Sequence, residues 1–478
     1  VKVEFDLTAS TNVNWELGHD TEQGETATET KALRREGNKV VVKDRYANAT
    51  VQALTADNWA IKLYRLAVVP KVFDGEGTAE DPYQIKTAAD FKKLDEAVGT
   101  YGQSHLGDFF AVVNDIDFAA DTTFMGVGAG KIYEFEGSLD GRNHSIAGMN
   151  IHANVLDDNG KTTTKGTVRT GLFGTIGANG SVKNVTIAAN NVFRPYQQGG
   201  TVAGLNAGKI SNCKNYAEVR GAGSYVGGIA GANYVGGIIE DCYNAGNIHN
   251  STNYIGGITG INMQEATVLR CQNDGIVRDS LLFPKDTRIN VNEVGGITGY
   301  NNGTILSSVN NGDISAFYAV GGIAGVDSKT YNEGVINGCL NNGLVTCYQN
   351  SVERGGIAGK LNGTMTAENN YYDASINVNG AAMNVGHEGV KGISSSELVA
   401  GTPLAGLDAE VFDFAAGKYP VLKKFAAEKA TATLRSMYVA FAPNQRRNNV
   451  VKNVPLSTAS GISFSLQRNE TFKISGST

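Results

Sequence analysis

The sequence predicts an all-β chain wound as a right-handed parallel β-helix, a repeat solenoid, with small β-sandwich-like flanking regions. Three observations predict it. A glycine-marked pentapeptide recurs as GTVAG from Gly200, GGIAG from Gly227, GGITG from Gly256, GGITG from Gly295, GGIAG from Gly321 and GGIAG from Gly355, with spacings of 27, 29, 39, 26 and 34 residues and a degenerate copy, TGLFG, at Thr170. Behind the copies runs a second pattern of strict period two: Cys213-x-Asn215, Cys242-x-Asn244, Cys271-x-Asn273, Ser308-x-Asn310 and Cys339-x-Asn341, each followed two and four residues later by a small and a β-branched residue. Period two is the mark of an extended strand that shows alternate side chains to one face, and the 3.6-residue period of a helix is missing across these units. Finally, glycine reaches 60 of 478 residues, about 13% against a usual ~7%, and 35 of the 60 fall between residues 171 and 370.

A unit of roughly 30 residues built from short strands cannot enclose a core alone. Winding successive units places equivalent positions above one another at the ~4.8 Å strand spacing. Val202, Ile229, Ile258, Ile297, Ile323 and Ile357 then form an interior column. Cys213, Cys242, Cys271 and Cys339 form a column of small buried thiols, and Asn215, Asn244, Asn273, Asn310 and Asn341 form an amide ladder. Gly227 and Gly231 are assigned to tight corners between walls.

The remaining elements follow in order. Residues 1–72 alternate as strands (VKVEFDL, KVVVKD, ATVQAL, WAIKLYRLAVV), hold both Trp15 and Trp59, and read as a β-sandwich-like segment. Residues 73–425 are assigned to the β-helix. Within them Thr87–Val98 opens with a capping-box pair, Thr87 and Asp90, and carries Phe91, Leu94 and Val98 on one side, the pattern of a short helix closing the end of the coil. Residues 109–151 read as irregular early coils, and the repeat fades after Tyr371, ending near Tyr419-Pro420-Val421-Leu422. Residues 426–478 (for example ATLRSMYVAF and GISFSLQ) read as strands that pack with the N-terminal segment.

These units, together with the lead-in GEGTAEDPYQIKTAADFKKL and the segment FEGSLDGRNHSIAGMNI, resemble the GLUG-motif β-helix repeats of bacterial cell-surface and adhesin-like proteins over about residues 73–425. The resemblance implies a secreted, surface-displayed right-handed β-helix joined to small β-sandwich modules, often adhesive. Shared fold does not fix function, which has to be argued from sites.

Composition excludes several classes. A formal net charge of -6 gives no basic footprint for nucleic acid. No apolar run nears the ~20 residues of a membrane helix. Five cysteines are too few and odd in number for a disulfide framework. The chain opens at Val1 with no charged-then-apolar leader, so a secretion signal is not part of this sequence.

Four features of the sequence bear on chemistry. β-Helix enzymes that cleave polysaccharides need acids converging on one wall, whereas Asp241, Asp274 and Asp313 fall at different phases of the repeat, so no catalytic residue is expected. None of the six histidines forms His-Glu-x-x-His, and GHEGV at Gly386 lacks the second histidine of a zinc protease. No metal site or cofactor is expected; the acidic turn from Asp74 to Asp81 is read as the entry to the coil in preference to a Ca²⁺ loop, and Cys347, out of phase, has no assigned role. For binding, Tyr225, Tyr254 and Tyr318 lie just before Gly-Gly pairs as an aromatic strip for sugar rings, and the insert from Asp279 to Asn290 offers Leu281, Leu282 and Phe283 as a contact loop. The expected function is a non-enzymatic, extracellular surface protein that adheres to glycans or to host or matrix proteins. A polysaccharide lyase or hydrolase is the rival reading and a passive stalk the third.

Overall fold

The computed structural model describes residues 4–431, excluding 8–12, 19–23, 31–32, 43–46, 56, 58–59, 69–71, 131–132, 153–154, 157–161, 164–168, 251, 280–292, 329–333, 348–352, 363–365, 378–379 and 383–385. From Tyr83 to Ile393 the chain winds as a parallel β-helix whose coils carry up to five short strands, each joining its own wall. One complete coil consists of Ala203–Asn206, Lys209–Ser211, Lys214–Asn215, Val219–Gly221 and Val226–Gly227. These strands belong to the first through fifth walls, which hold 7, 10, 10, 7 and 5 strands. Every unit pairs in parallel with its neighbours and in one register, so Asn215 meets Asn244, Ile210 meets Ile239 and Gly227 meets Gly256.

The register explains the repeat. The isoleucine and valine column of the pentapeptide and its counterparts on the other walls, Ile210, Ile239, Val268, Ile305 and Ile336 among them, are fully enclosed in one continuous core. Branched side chains suit this role because their restricted χ1 angles cost little entropy on a pleated wall.

Most of the glycines of the repeat do not make turns, which corrects the corner assignment for Gly227 and Gly231. Neither takes a positive φ. A Cβ on Gly227 would lie 2.2 Å from the Ala230 carbonyl oxygen, and one on Gly231 2.3 Å from the Gly199 nitrogen. The glycines are there because backbones approach too closely for any side chain. The corner between the second and third walls instead uses Asn212, Asp241, Arg270, Ser307 and Asn369 at φ between 46° and 54°. Asn and Asp tolerate that left-handed region best.

The coil's first end is closed by the helix Ala88–Asp95, continued by a wider π-helical turn to Thr100. The Thr87–Asp90 capping box is formed, and Phe91, Leu94 and Val98 enter the core. Ahead of it, Glu4–Asp6, Lys39–Val42 and Leu33–Glu36 make one antiparallel sheet; Asn14–Gly18, Ala47–Leu54 and Ala60–Val68 make another. A separate cluster including Trp15, Leu17, Leu33, Val40 and Val51 fills their core. Trp59 lies outside the described residues.

At the other end the winding stops at Ile393, earlier than the sequence suggested. Residues 394–431 run back along the outside of the third wall, with a short antiparallel pair, Phe412–Asp413 with Val421–Leu422, and a helix at Ala426–Thr431. The strand assignment for 426–478 therefore fails over 426–431, and 432–478 lie outside the described residues. The physical reason is on the wall itself. The residues between Cys and Asn point outward, and Tyr243, Val309, Leu340 and Tyr371 make that face apolar; Leu398, Leu407, Phe412, Leu422 and Phe425 cover it. Polar ties fix the contact: Gln272 Oε1 accepts from the Leu422 N–H at 2.9 Å, Asn342 Nδ2 donates to the Pro420 carbonyl at 2.9 Å, and Lys214 pairs with Glu428 at 2.7 Å.

Candidate functional site

Inside the coil the two predicted ladders are present. Asn215 Nδ2 donates to Asn244 Oδ1 at 2.7 Å, and the chain continues to Asn273 at 2.7 Å, Asn310 at 2.8 Å and Asn341 at 2.7 Å. Each amide also donates to the carbonyl two residues on, for example Asn273 Nδ2 to Gly275 at 2.9 Å. A buried amide thus meets its hydrogen-bonding requirement within the ladder. The ladder also explains the second glycine of each pair: a Cβ on Gly228, Gly257, Gly296 or Gly322 would lie 2.3 to 2.5 Å from the Cγ of Asn244, Asn273, Asn310 or Asn341. Gly-Gly and Cys-x-Asn recur together because they pack on each other across the interior.

The thiols of Cys213, Cys242, Cys271 and Cys339 are fully buried and unpaired as disulfides. Each thiol lies against the carbonyl two residues before it, as in Cys242 to Glu240 at 3.2 Å. Burial, with Cys213 and Cys271 on either side, pushes the Cys242 thiol up, and burial brings Cys339 to about 12. These are packing groups, since the nucleophile and metal ligand is the thiolate. Cys347 is also buried, with its sulfur 3.3 Å from the Phe317 carbonyl.

Sequence reasoning missed a second ladder six residues after the first glycine of the pentapeptide. Asn206, Asn233, Asn262 and Asn301 each donate to the next at 2.9 Å, and Asn301 donates to Asp327 at 2.8 Å. The signal was present at constant spacing in five units.

Of the predicted binding residues, Leu281, Leu282 and Phe283 lie outside the described residues. Tyr225 and Tyr254 are brought together at the corner that leads into the fifth wall, both half-buried and both at φ near 60°. Their rings stack with centroids 5.0 Å apart and planes 5° apart, and Tyr300 meets Tyr254 edge-on at 5.7 Å. This corrects the image of a flat platform for sugar rings. The two rings spend their facing surfaces on each other, so the strip offers ring edges and hydroxyls. Tyr318 is not in the stack; it lies beneath Lys360, whose Nζ is 5.6 Å from the ring centre.

The same corner holds a feature that was not foreseen. The residue two before each Gly-Gly reads Tyr225, Tyr254, Glu293, Ala319 and Glu353, and backbone bonds from Ile255 to Glu293, Val294 to Ala319 and Val320 to Glu353 stack these positions on consecutive rungs. Two carboxylates therefore share one column with an alanine rung between them. At the ~4.8 Å rung spacing their backbones are about 10 Å apart. Their environments differ. Glu353 Oε1 pairs with Lys360 Nζ at 3.2 Å, and its carboxylate also takes the Tyr318 hydroxyl. The Oε2 atoms of both are enclosed; Glu293 has no ion-pair partner among the described residues, and burial pushes its carboxyl up to about 7. Burial beside Glu293 also raises Tyr254 to about 12, so its hydroxyl stays a proton donor. The acids weighed from sequence behave otherwise: Asp241 is held by Arg270 at 2.7 and 3.0 Å, and Asp274 accepts from Tyr243 and Asn311. In the entry turn Asp74 is paired with Lys86 at 2.5 Å. Among the described residues no three His, Cys, Asp or Glu side chains group as metal ligands.

These observations define a parallel β-helix repeat protein with a tyrosine and glutamate corner. No family model matches the chain. It is similar to halomucin of Haloquadratum walsbyi, 29% identical over 168 residues, which is 34% of this chain and 2% of that protein. It is also similar to a provisionally named Gly-rich membrane protein of Evansella cellulosilytica, 32% identical over 164 residues, 34% of this chain and 14% of that protein. The chain thus spans a small part of the curated relatives it matches. Among solved structures it is similar to a provisionally named immunoglobulin A1 protease of Bacteroides ovatus, with 20% identity and a TM-score of 0.45 over 73% of this chain and 94% of that one. The expectation that this chain is no enzyme is withdrawn, because the scatter of acids on which it rested does not hold at the Glu293 and Glu353 corner. No described helix is long and apolar enough to cross a membrane.

Proposed function

We propose that this chain is the β-helical part of a surface-associated protein and that its tyrosine and glutamate corner holds an extended, hydroxyl-rich glycan. The observation that carries the reading is the column itself. Tyr225, Tyr254, Glu293 and Glu353 set donors and acceptors along one edge at rung intervals, over about 19 Å from first to last. Such an array matches a chain of repeating hydroxyl-bearing units better than a compact ligand. The resemblance of the repeat to GLUG-motif units and the similarity to a halomucin and to a membrane protein support a surface setting. Contact is by hydrogen bonding, since a net charge of -6 over 478 residues provides no strong steering field.

A glycan array, followed by titration of the best ligand against the protein and against a Tyr225→Ala/Tyr254→Ala double variant, tests this. Binding weakened on the order of tenfold or more is expected, since each of the two lost hydroxyls removes a hydrogen bond worth roughly 0.5–1.5 kcal/mol. Equal affinity of the double variant, or capture of host or matrix proteins and no glycan, overturns it.

A further inference from the structure

We propose that the glycan held at the corner is an anionic one, with carboxylate or sulfate groups along one edge, and that a column of arginines on the fourth wall binds those groups. The inference rests on the glycan-binding reading and names the chemical class of its ligand. The register of the fourth wall carries it. His152 pairs with Arg194, Phe193 with Val219, Arg220 with His249 and His249 with Arg278, so His152, Arg194, Arg220, His249 and Arg278 take the same outward position on five consecutive rungs. At the ~4.8 Å rung spacing the line is about 19 Å long. Three of its members are guanidiniums, which stay charged and take an oxyanion through two N–H groups at once.

Neighbours in the line hold one another in place. Arg278 Nε donates to His249 Nδ1 at 2.8 Å, His249 Nε2 meets Glu218 Oε1 at 2.8 Å, and Arg220 Nε donates to Glu218 Oε2 at 2.9 Å. Glu218 offsets one of the three charges. The equivalent positions on the other four rungs, Asn150, Val192, Asn247 and Ile276, carry none. Burial and the Arg194 charge beside it hold the His152 imidazole below its usual value, so the positive charge is that of the arginines. Arg194 and Arg220 are exposed.

This line runs beside the tyrosines. The strand Val219–Gly221 leads into the corner of Tyr225, and Ile248–Asn250 into that of Tyr254. The tyrosine column itself continues to a cation: the bridges Thr170 to Gly199 and Gly199 to Val226 place Gln198 and Arg169 on the two rungs before Tyr225, and Arg169 Nε donates to Gln198 Oε1 at 3.0 Å. Glu293 and Glu353 stand at the opposite end. A glycan laid along the corner has its anionic groups over the arginine rungs and neutral hydroxyls at the glutamates. The total charge of -6 conceals the line, because acids elsewhere outnumber it. Nucleic acid fits less well. Single strands stack their bases on open aromatic faces, whereas Tyr225 and Tyr254 face each other, and a duplex calls for a broad basic face.

The test measures affinities of the whole chain for the neutral glycans of an array, for polygalacturonate, for dextran sulfate and for a single-stranded oligonucleotide. At least one of the two polyanionic glycans should bind about tenfold or more tighter than the neutral ones. Raising salt from about 50 to about 200 mM should weaken that binding on the order of tenfold, as the release of about three counterions requires. Arg194→Gln/Arg220→Gln should lose about tenfold in affinity and show a shallower salt dependence, with its thermal midpoint retained. Lys183→Gln/Lys209→Gln, an equal change of charge on the second wall, should match the wild type. Tighter binding of neutral glycans, still weakened by the tyrosine double variant, overturns the inference and leaves the corner reading standing. Equal effects of the arginine and lysine variants overturn it, as does an oligonucleotide bound as tightly as the glycans. Failure of every glycan to bind overturns both.

Discussion

Asn273 shows how much one residue carries in this fold. Its amide accepts from Asn244, donates to Asn310 and donates to the Gly275 carbonyl, all out of water. Asn273→Ala removes these bonds and leaves the Asn244 amide and the Asn310 oxygen short of a partner. Each stranded buried group costs roughly 1–3 kcal/mol. A loss of that order in the urea unfolding midpoint is expected, and a change within about 0.5 kcal/mol contradicts the ladder's energetic role. The ladder was legible in the sequence because its members keep period two behind each pentapeptide. The Asn206 ladder is equally regular, six residues after the glycine, but no period-two pattern of small and β-branched residues frames it. Glu293 and Glu353 were missed for a different reason. Acids scatter within the Cys-x-Asn segment and line up only at the position before Gly-Gly, the position that Tyr225 and Tyr254 hold in earlier units.

Among the elements, the returning segment 394–431 is the one that local reasoning could not place. Its position depends on the outward face of the third wall, whose apolar members Val309, Leu340 and Tyr371 come from successive units and lie far in the chain from the residues that cover them. Period two alone reports that a strand has two faces, and the mixture of Lys214, Gln272 and Leu340 on the outer one reads as ordinary surface. Once covered, that face becomes a second core with Phe425 fully buried in it. Phe425→Ala removes a side chain whose truncation typically costs about 3–5 kcal/mol. Because the segment is docked on the outer face and takes no part in the coil's strand register, local release is expected before the coil melts. Amide exchange should accelerate through 394–431 while the Ile297 and Ile323 strands stay protected. Uniform acceleration across the coil contradicts a separately docked flank. The helix at Thr87 stands at the opposite extreme, since its capping box and three apolar positions are all local.

For the whole molecule, stability is distributed along one axis, each rung touching only its neighbours. Removing residues 228–256 deletes one full unit and joins Gly227 to Gly257 with every column in phase, because Gly227 and Gly256 are paired. The shortened chain should fold with an unchanged β-type circular dichroism spectrum. Removing one residue more shifts the following strand to the wrong face, and that variant should lose its cooperative transition. Equal behaviour of the two deletions contradicts register as the organising constraint. The second asparagine ladder adds a property of its own. Its amides all donate toward the C-terminal rungs, so their small dipoles add head to tail, and the series stops at Asp327, a carboxylate placed where the positive ends accumulate. The solenoid is therefore electrically polar along its length, like a bar with distinguishable poles, and a reversed stacking of units would set that anion against the wrong pole.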